Sequence, residues 1–557
     1  MPLKNPISAA ISYKQPCTWA INFYICRDTK DKYPSCQYHD AYRACRPIYR
    51  LILDNDNMKK FVLSIACLLT AICGSASKRP AVRLQFDANS GVASTLVMPQ
   101  GNKVEYTAYT HLYYVTNVED STYQYLNVFV PSGATQRTPI FLRTYVGGYM
   151  AAAAGAPQAG DATGRAMLEG YVVVIPGTRG RNSTVSRGEK TVYTGRAPKA
   201  ILDLKAAIRY LRHFDSQMPG DAEKIITDGT SAGGAMSALM GATGNNPAYE
   251  PYLKAMGAAE ERDDVFASVC YCPITDLEHA DMAYEWLYGN TDSRKKADAE
   301  HQKVSSELAA AFPAYINSLG LRTPDGKQLT ADNYLDFIKC ELIASAQAAK
   351  DAGAEIPDSI GFKFSEAASF GAPPINGGKV QEALGKKLPQ GALPKVPGMA
   401  HKQVGEYIID LDMNTYLNYV ASKTALKTAP VFDSKGVAGN AASGENEEFG
   451  NEKGTSVNFT DYSAAKNGGK VSDEVKRLLP LMNPMTQIGQ ANVTVAPHWY
   501  IRHGSIDRDT AFPIPLNLAM KLQNAGKDVN YLLAWNRPHS GDYALDDLFS
   551  WIKKITR

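Results

Sequence analysis

Residues 224–240 read KIITDGTSAGGAMSALM, and this stretch decides the fold. A short strand pattern, Lys224-Ile225-Ile226-Thr227, runs into Gly229-Thr230-Ser231-Ala232-Gly233. A helical run of small residues follows over 232–240. A Gly-x-Ser-x-Gly motif says little alone in a chain with 44 glycines. Between a strand and a helix it marks a sharp turn that lifts a serine into the open. The glycines are needed because the turn brings backbone too close for side chains. Ser231 is therefore the candidate nucleophile.

A serine hydroxyl is a weak nucleophile, so it needs a base, and the base needs an acid to orient it. On this type of turn the partners follow in the order Ser, acid, His. After Ser231 come His279, His301, His401, His498, His503 and His539. Only His539 falls in a loop between a last strand pattern (529–534) and a last helix pattern (Leu545, Leu548, Phe549, Ile552). The strand pattern before it, 498–502, leads through Gly504 to Asp507, the candidate acid. Asp509 competes but lies further from the turn. Acyl transfer also needs N–H groups aimed at an oxyanion. One is the backbone N–H of Ala232. The second is expected from Gly147, in the Gly147-Gly148 pair after the strand pattern at 139–146 (PIFLRTYV).

The surroundings agree. Strand patterns at 139–146, 171–176, 224–227 and 265–272 alternate with helical ones, including a helix opened by Pro198 with Ile201, Leu204, Ile208 and Leu211 on one face. Over 273–490 the alternation stops. Helical patterns at 333–350 and 404–427 occur alongside Gly/Pro/Asn-rich stretches at 371–398 and 436–454, and strand–helix alternation then resumes. The fold class is α/β: an α/β-hydrolase fold with a large, mainly helical inserted lid domain. The core spans 77–272 and 491–557, with the lid at 273–490. The alanine-rich residues 150–157 read as a loop or helix start.

Formal net charge is +3, from 59 Lys+Arg against 56 Asp+Glu, which argues against a nucleic-acid binder. The whole excess lies in residues 1–57, with eight basic and five acidic residues. Met58-Lys59-Lys60 then begins an export-signal pattern: an apolar run over 61–73, then Gly74-Ser75-Ala76 with cleavage expected after Ala76. The run is too short to span a bilayer comfortably. Ile72 before Cys73 argues against a lipoprotein. Residues 1–57, with Cys17, Cys26, Cys36 and Cys45, read as a misassigned leader; a small disulfide or metal module is the alternative. The expected location is secreted or periplasmic, with no other membrane role. Cys270, Cys272 and Cys340 remain, too few for a disulfide framework, and Cys270 and Cys272 read as buried filler. No zinc-ligand spacing or phosphate loop occurs after the signal, and neither metal nor cofactor is expected.

With these positions fixed, the chain resembles the bacterial tannase family over roughly residues 80–557. The resemblance rests on Val146-Gly147-Gly148-Tyr149, Gly229 to Gly234, Cys272-Pro273-Ile274-Thr275-Asp276, Gly444-Glu445-Asn446, Asp507-Arg508-Asp509 and His539-Ser540-Gly541-Asp542. It implies a serine esterase acting on galloyl esters, a small-molecule substrate. It further implies that Asp509 and Glu445 contact the ring hydroxyls with a lid lysine, and that Ile274 forms an apolar wall. Lys427 is the assigned lysine, with Lys423 and Lys435 left open. Thr230 and Pro538 stand where the fungal tannase and feruloyl esterase group carries a cysteine pair, which disfavours that group. Two other readings stay in view. One is a feruloyl-type carboxylesterase or serine peptidase of the same fold. The other is a non-catalytic binding protein on that fold. The sequence carries no signal of oligomeric state.

Overall fold

The computed structural model describes residues 82–365 and 407–557. The leader, the export signal, the Gly/Pro-rich stretch at 371–398 and His401 lie outside the described residues.

One nine-stranded sheet carries the fold. In chain order its strands are β1 (Val92–Val97), β2 (Lys103–Tyr113), β3 (Tyr125–Pro131), β4 (Pro139–Arg143), β5 (Val172–Pro176), β6 (Asp221–Thr230), β7 (Ala267–Tyr271), β8 (His498–Gly504) and β9 (Asp528–Ala534). Their order across the sheet is β1-β2-β3-β5-β4-β6-β7-β8-β9. The first three pair antiparallel, and from β5 to β9 every pairing is parallel. The parallel part follows the sequence patterns closely. The antiparallel β1–β3 were not foreseen.

Parallel strands need both faces covered. In β5, Val172 and Val174 enter one core while Val173 and Ile175 enter the other. Helices α1 (Ala162–Leu168) and α10 (Leu545–Thr556) pack on the second face through Ala166, Met167, Leu548, Phe549 and Ile552. The first face is covered by α2 (Lys199–His213), α3 (Ala232–Ala242) and α9 (Pro513–Asn524).

Residues 277–487 bring in most of the remaining helices, among them α4 (Leu277–Tyr288), α5 (Ala299–Leu319), α6 (Ala331–Asp351), α7 (Met413–Lys423) and α8 (Gly444–Glu448). The helix expected over 404–427 is shorter. Ile408–Leu411 is a strand paired antiparallel with Phe362–Phe364, and the Asp412 side chain caps α7 by accepting from the Thr415 N–H at 2.7 Å. The cap starts the helix there because it satisfies a first-turn donor. Residues 150–157 form a loop. Among the described residues no helix is long and apolar enough to cross a membrane.

Candidate active site

Ser231 sits between β6 and α3 with φ 63° and ψ −125°, a backbone state costly for a residue with a side chain. The neighbours explain how it is held. A Cβ on Gly229 would stand 2.2 Å from the Gly233 carbonyl oxygen, one on Gly233 2.8 Å from that of Val146, and one on Gly234 2.6 Å from that of Tyr271. The Ser231 N–H donates to the Tyr271 carbonyl at 3.0 Å, pinning the turn to β7. Ala232 is the first residue of α3, so its N–H has no acceptor within the helix.

The Val146 carbonyl against Gly233 brings the segment after β4 over this helix start. Gly147 and Gly148 form a tight turn there. The Gly147 carbonyl accepts from the Met150 N–H at 3.0 Å, and that of Gly148 accepts from Arg181 Nε at 2.7 Å. Gly148 has φ 55°.

His539 and Asp507 reach the same point from the ends of β9 and β8. His539 Nε2 is 2.8 Å from Ser231 Oγ, and Nδ1 is 2.7 Å from Asp507 Oδ2. Asp507 also accepts from the Asp509 N–H at 2.8 Å. Asp507, not Asp509, is therefore the carboxylate on the imidazole. Burial works against its charge, but His503 and His539 hold it below its ordinary value. For His539, burial opposes the imidazolium, but Asp507 and Cys272 together outweigh it, raising proton affinity above the ordinary value.

The histidine loop is fixed at its far end. Asp542 pairs with Arg143 Nη2 at 2.8 Å, and Arg143 also binds Asp228. A Cβ on Gly541 would lie 1.9 Å from Thr230 Oγ1, so only glycine lets this loop close onto the end of β6.

Beside this group lies a second polar set. Ile274 is buried, and its N–H donates to the Ser231 carbonyl at 3.3 Å. The Tyr149 hydroxyl donates to the Ile274 carbonyl at 2.7 Å. Lys427 Nζ stands 3.1 Å from Asp509 Oδ1. Burial raises the Glu445 carboxyl above its ordinary value while Lys427 pulls it down; Tyr149 in turn feels Glu445. The structure thus brings Lys427, Asp509, Glu445 and Ile274 to one place. Of the other two lysines, Lys423 lies over the Tyr419 ring and Lys435 bonds the Ser456 carbonyl.

Two buried aspartates, which the sequence reading missed, hold this set. Asp281 on α4 accepts from the N–H groups of Val431, Phe432 and Asp433 at 2.6, 2.9 and 2.8 Å. Asp433 accepts from Asn446 and Asn458 side chains and from the Phe459 and Thr460 N–H groups. They fix the loop between Lys427 and α8, which carries Glu445. The available signal was Asp281 on the same helix face as Leu277, Ala280 and Tyr284, where an apolar residue is expected.

Cys272 was also missed as a neighbour of this site. It is buried, as expected, but its Sγ is 3.9 Å from His539 Nε2.

This arrangement can activate a hydroxyl, stabilise an oxyanion and hold a polar ring. A family profile described as BD-FAE matches residues 126–316. The chain is similar to a tannase from Fusobacterium nucleatum, at 34% identity and TM-score 0.71 over 85% of this chain and 100% of that one. It is similar to a tannin acyl hydrolase from Lactobacillus plantarum, at 35% identity and TM-score 0.72 over 85% and 99%. A tannin acyl hydrolase in complex with ethyl gallate gives the same figures. A stretch of 58 residues is 45% identical to Esterase LipC of Mycobacterium tuberculosis; it spans 10% of this chain and 14% of that relative's length.

Proposed function

The chain belongs to the bacterial tannase family and is a carboxylic ester hydrolase, and from that premise we propose that it cleaves galloyl esters to gallate and an alcohol through Ser231, His539 and Asp507. Ser231 Oγ attacks the ester carbonyl while His539 Nε2 takes its proton. Asp507 keeps the imidazole in the required tautomer and stabilises it when charged. The N–H groups of Ala232 and Gly147 receive the oxyanion. His539 returns the proton to the departing alcohol. It then activates a water that frees gallate from the acyl-enzyme.

The observation that carries the substrate class is the Lys427–Asp509 pair with Glu445, set against the apolar Ile274 beside the nucleophile. Three adjacent ring hydroxyls lose water on entering a closed site. Two carboxylates can accept from them and a lysine can donate, while Ile274 covers the ring face. A relative solved with ethyl gallate supports the same reading. The export signal at residues 58–76 and a secreted or periplasmic location complete the proposal. N-terminal sequencing of the exported protein should begin at Ser77.

The test is a comparison of purified protein on methyl gallate, methyl ferulate and a blocked peptide. Gallate release should dominate. Preferred cleavage of ferulate or peptide would overturn the substrate assignment and leave a serine hydrolase of another specificity.

A further inference from the structure

The ester chemistry leaves one reactive group beside the base unused. β7 ends at Tyr271, and Cys272 then takes a left-handed backbone, φ 36°, that carries its thiol under the histidine loop. Its Sγ is 3.9 Å from His539 Nε2 and 3.4 Å from the Ser540 carbonyl oxygen. Among the described residues, Cys272, His539 and Asp507 form the one cluster of His, Cys and carboxylate donors whose ligand atoms all lie within 4.8 Å of one another.

We propose that Cys272 and His539 form an inhibitory binding site for a soft divalent cation of the zinc or cadmium kind, with Ser231 Oγ as a third donor. The spacing suits it. Zinc–sulfur and zinc–imidazole bonds are about 2.3 and 2.0 Å, so a tetrahedral centre sets its two donor atoms roughly 3.6 Å apart. The observed separation is a few tenths of an ångström wider, within reach of a side-chain rotation. Ser231 Oγ, 2.8 Å from the same nitrogen, lies where a third ligand or its bound water belongs. The second shell is also in place. Metal-binding histidines commonly give their other ring N–H to a carboxylate, and His539 Nδ1 meets Asp507 Oδ2 at 2.7 Å. The geometry that orients a general base also orients a metal ligand.

The donors set the ion class. One thiolate and one imidazole favour zinc or cadmium over the hard ions magnesium and calcium, which take oxygen. Access is narrow, because Cys272 is buried and the His539 side chain is 19% exposed. A hydrated zinc ion is small and exchanges its waters for protein donors as it binds, so it needs less room than a bulky thiol reagent. On binding, the cation takes the Nε2 lone pair and the Cys272 thiol releases its proton to solvent. No oxidant or reductant is involved. His539 then cannot accept the serine proton, and hydrolysis stops until the ion is removed.

The loss of activity rests on His539 being the base, but binding does not, so two readouts separate the claims. Zinc is titrated into the full-length wild type, Cys272→Ala and Cys272→Ser, with each rate on a generic ester divided by that variant's metal-free rate. Wild type should be inhibited and recover with EDTA, and magnesium should have no effect. The half-inhibiting zinc concentration should rise at least tenfold in both variants. Equilibrium dialysis with cadmium should show one bound ion fewer per chain in Cys272→Ser and in His539→Ala than in wild type, with a matching loss of ultraviolet thiolate-to-cadmium absorbance in Cys272→Ser. Equal inhibition of wild type and variants, or equal cadmium stoichiometry, would overturn the proposal. Cadmium bound through Cys272 and His539 with no loss of wild-type activity would overturn the inhibition and count against His539 as the base.

Discussion

Ser231, Asp507 and His539 each leave the C-terminal end of a parallel strand within five residues of its last position. Lys427 and Glu445 instead come from residues 277–487, far along the chain from any strand of the main sheet. The first group is placed by backbone: close approaches that exclude a Cβ at Gly229, Gly233, Gly234 and Gly541, and strand ends that share one edge. The second is placed by side chains, above all by Asp281 and Asp433 gathering the N–H groups of loops that have no regular partner. On the proposed reading, chemistry depends on the sheet and substrate choice on buried carboxylates. The two should therefore come apart under mutation.

The largest expected effect falls on the strand-built group alone. Ser231→Ala should lower kcat about 10⁴-fold or more on every ester while leaving the melting temperature close to wild type, since alanine fits the turn and the oxyanion donors stay. A folded variant with near-normal turnover would remove Ser231 from the mechanism.

Next comes the support of the other group. Asp433→Ala leaves several buried donors without an acceptor, at about 1–3 kcal/mol for each unsatisfied group before relaxation. Thermal unfolding should move down by several degrees. In the protein that remains folded, kcat/KM should fall further for methyl gallate than for 4-nitrophenyl acetate. Equal losses on both esters would mean that the clamp and the nucleophile do not separate.

The proposed ring contacts follow. Asp509→Ala and Glu445→Ala should each lose about 2 kcal/mol of transition-state binding on methyl gallate, the scale of a hydrogen bond to a charged group. Both should change little on 4-nitrophenyl acetate, which has no hydroxyls to hold. Steady-state kinetics on the two substrates checks this.

The smallest effect on turnover is expected at Glu448, one turn beyond Glu445. It is buried, neither carboxyl oxygen has a hydrogen-bond partner, and burial raises its pKa from 4.5 to about 8. A folded-state value above the unfolded one means that the neutral carboxyl contributes stability fully below about pH 4.5. That contribution is lost as pH rises toward 8. Glu448→Gln cannot ionise, so its stability should fall less steeply across pH 5–8, by up to about 1.4 kcal/mol per pH unit. Its turnover at pH 7 should stay within about twofold of wild type. Denaturant midpoints at several pH values test the sign, and identical slopes would show that Glu448 ionises normally in the fold.

The same contrast explains what could be read from sequence. Ser231, Asp507 and His539 were legible because each follows an apolar strand pattern at a glycine-bearing turn, a local signal. Strands β1 to β3 were not. β2 (KVEYTAYTHLY) mixes polar and aromatic residues near a partly exposed sheet margin, and a bulge near His111, φ 61°, breaks its period. The clamp was reached only through family resemblance. Nothing near Lys427 or Glu445 in sequence records that Asp281, on a helix more than a hundred residues earlier, holds the loop between them. Cys272 reads as filler by composition. Its 3.9 Å approach to His539 exists only once β7 and the last loop are folded together.

The central claim is that Asp509, Glu445 and Lys427 make a serine esterase into a hydrolase of galloyl esters. The most direct measurement is the ratio of kcat/KM for methyl gallate to that for methyl benzoate, which differs only in the three hydroxyls. A site built to pair with hydroxyls leaves its own charges unpaired against benzoate, and the ratio should reach about 10³–10⁴. A ratio near one would contradict the account, leaving an active Ser231 beside a polar clamp that does not select the substrate.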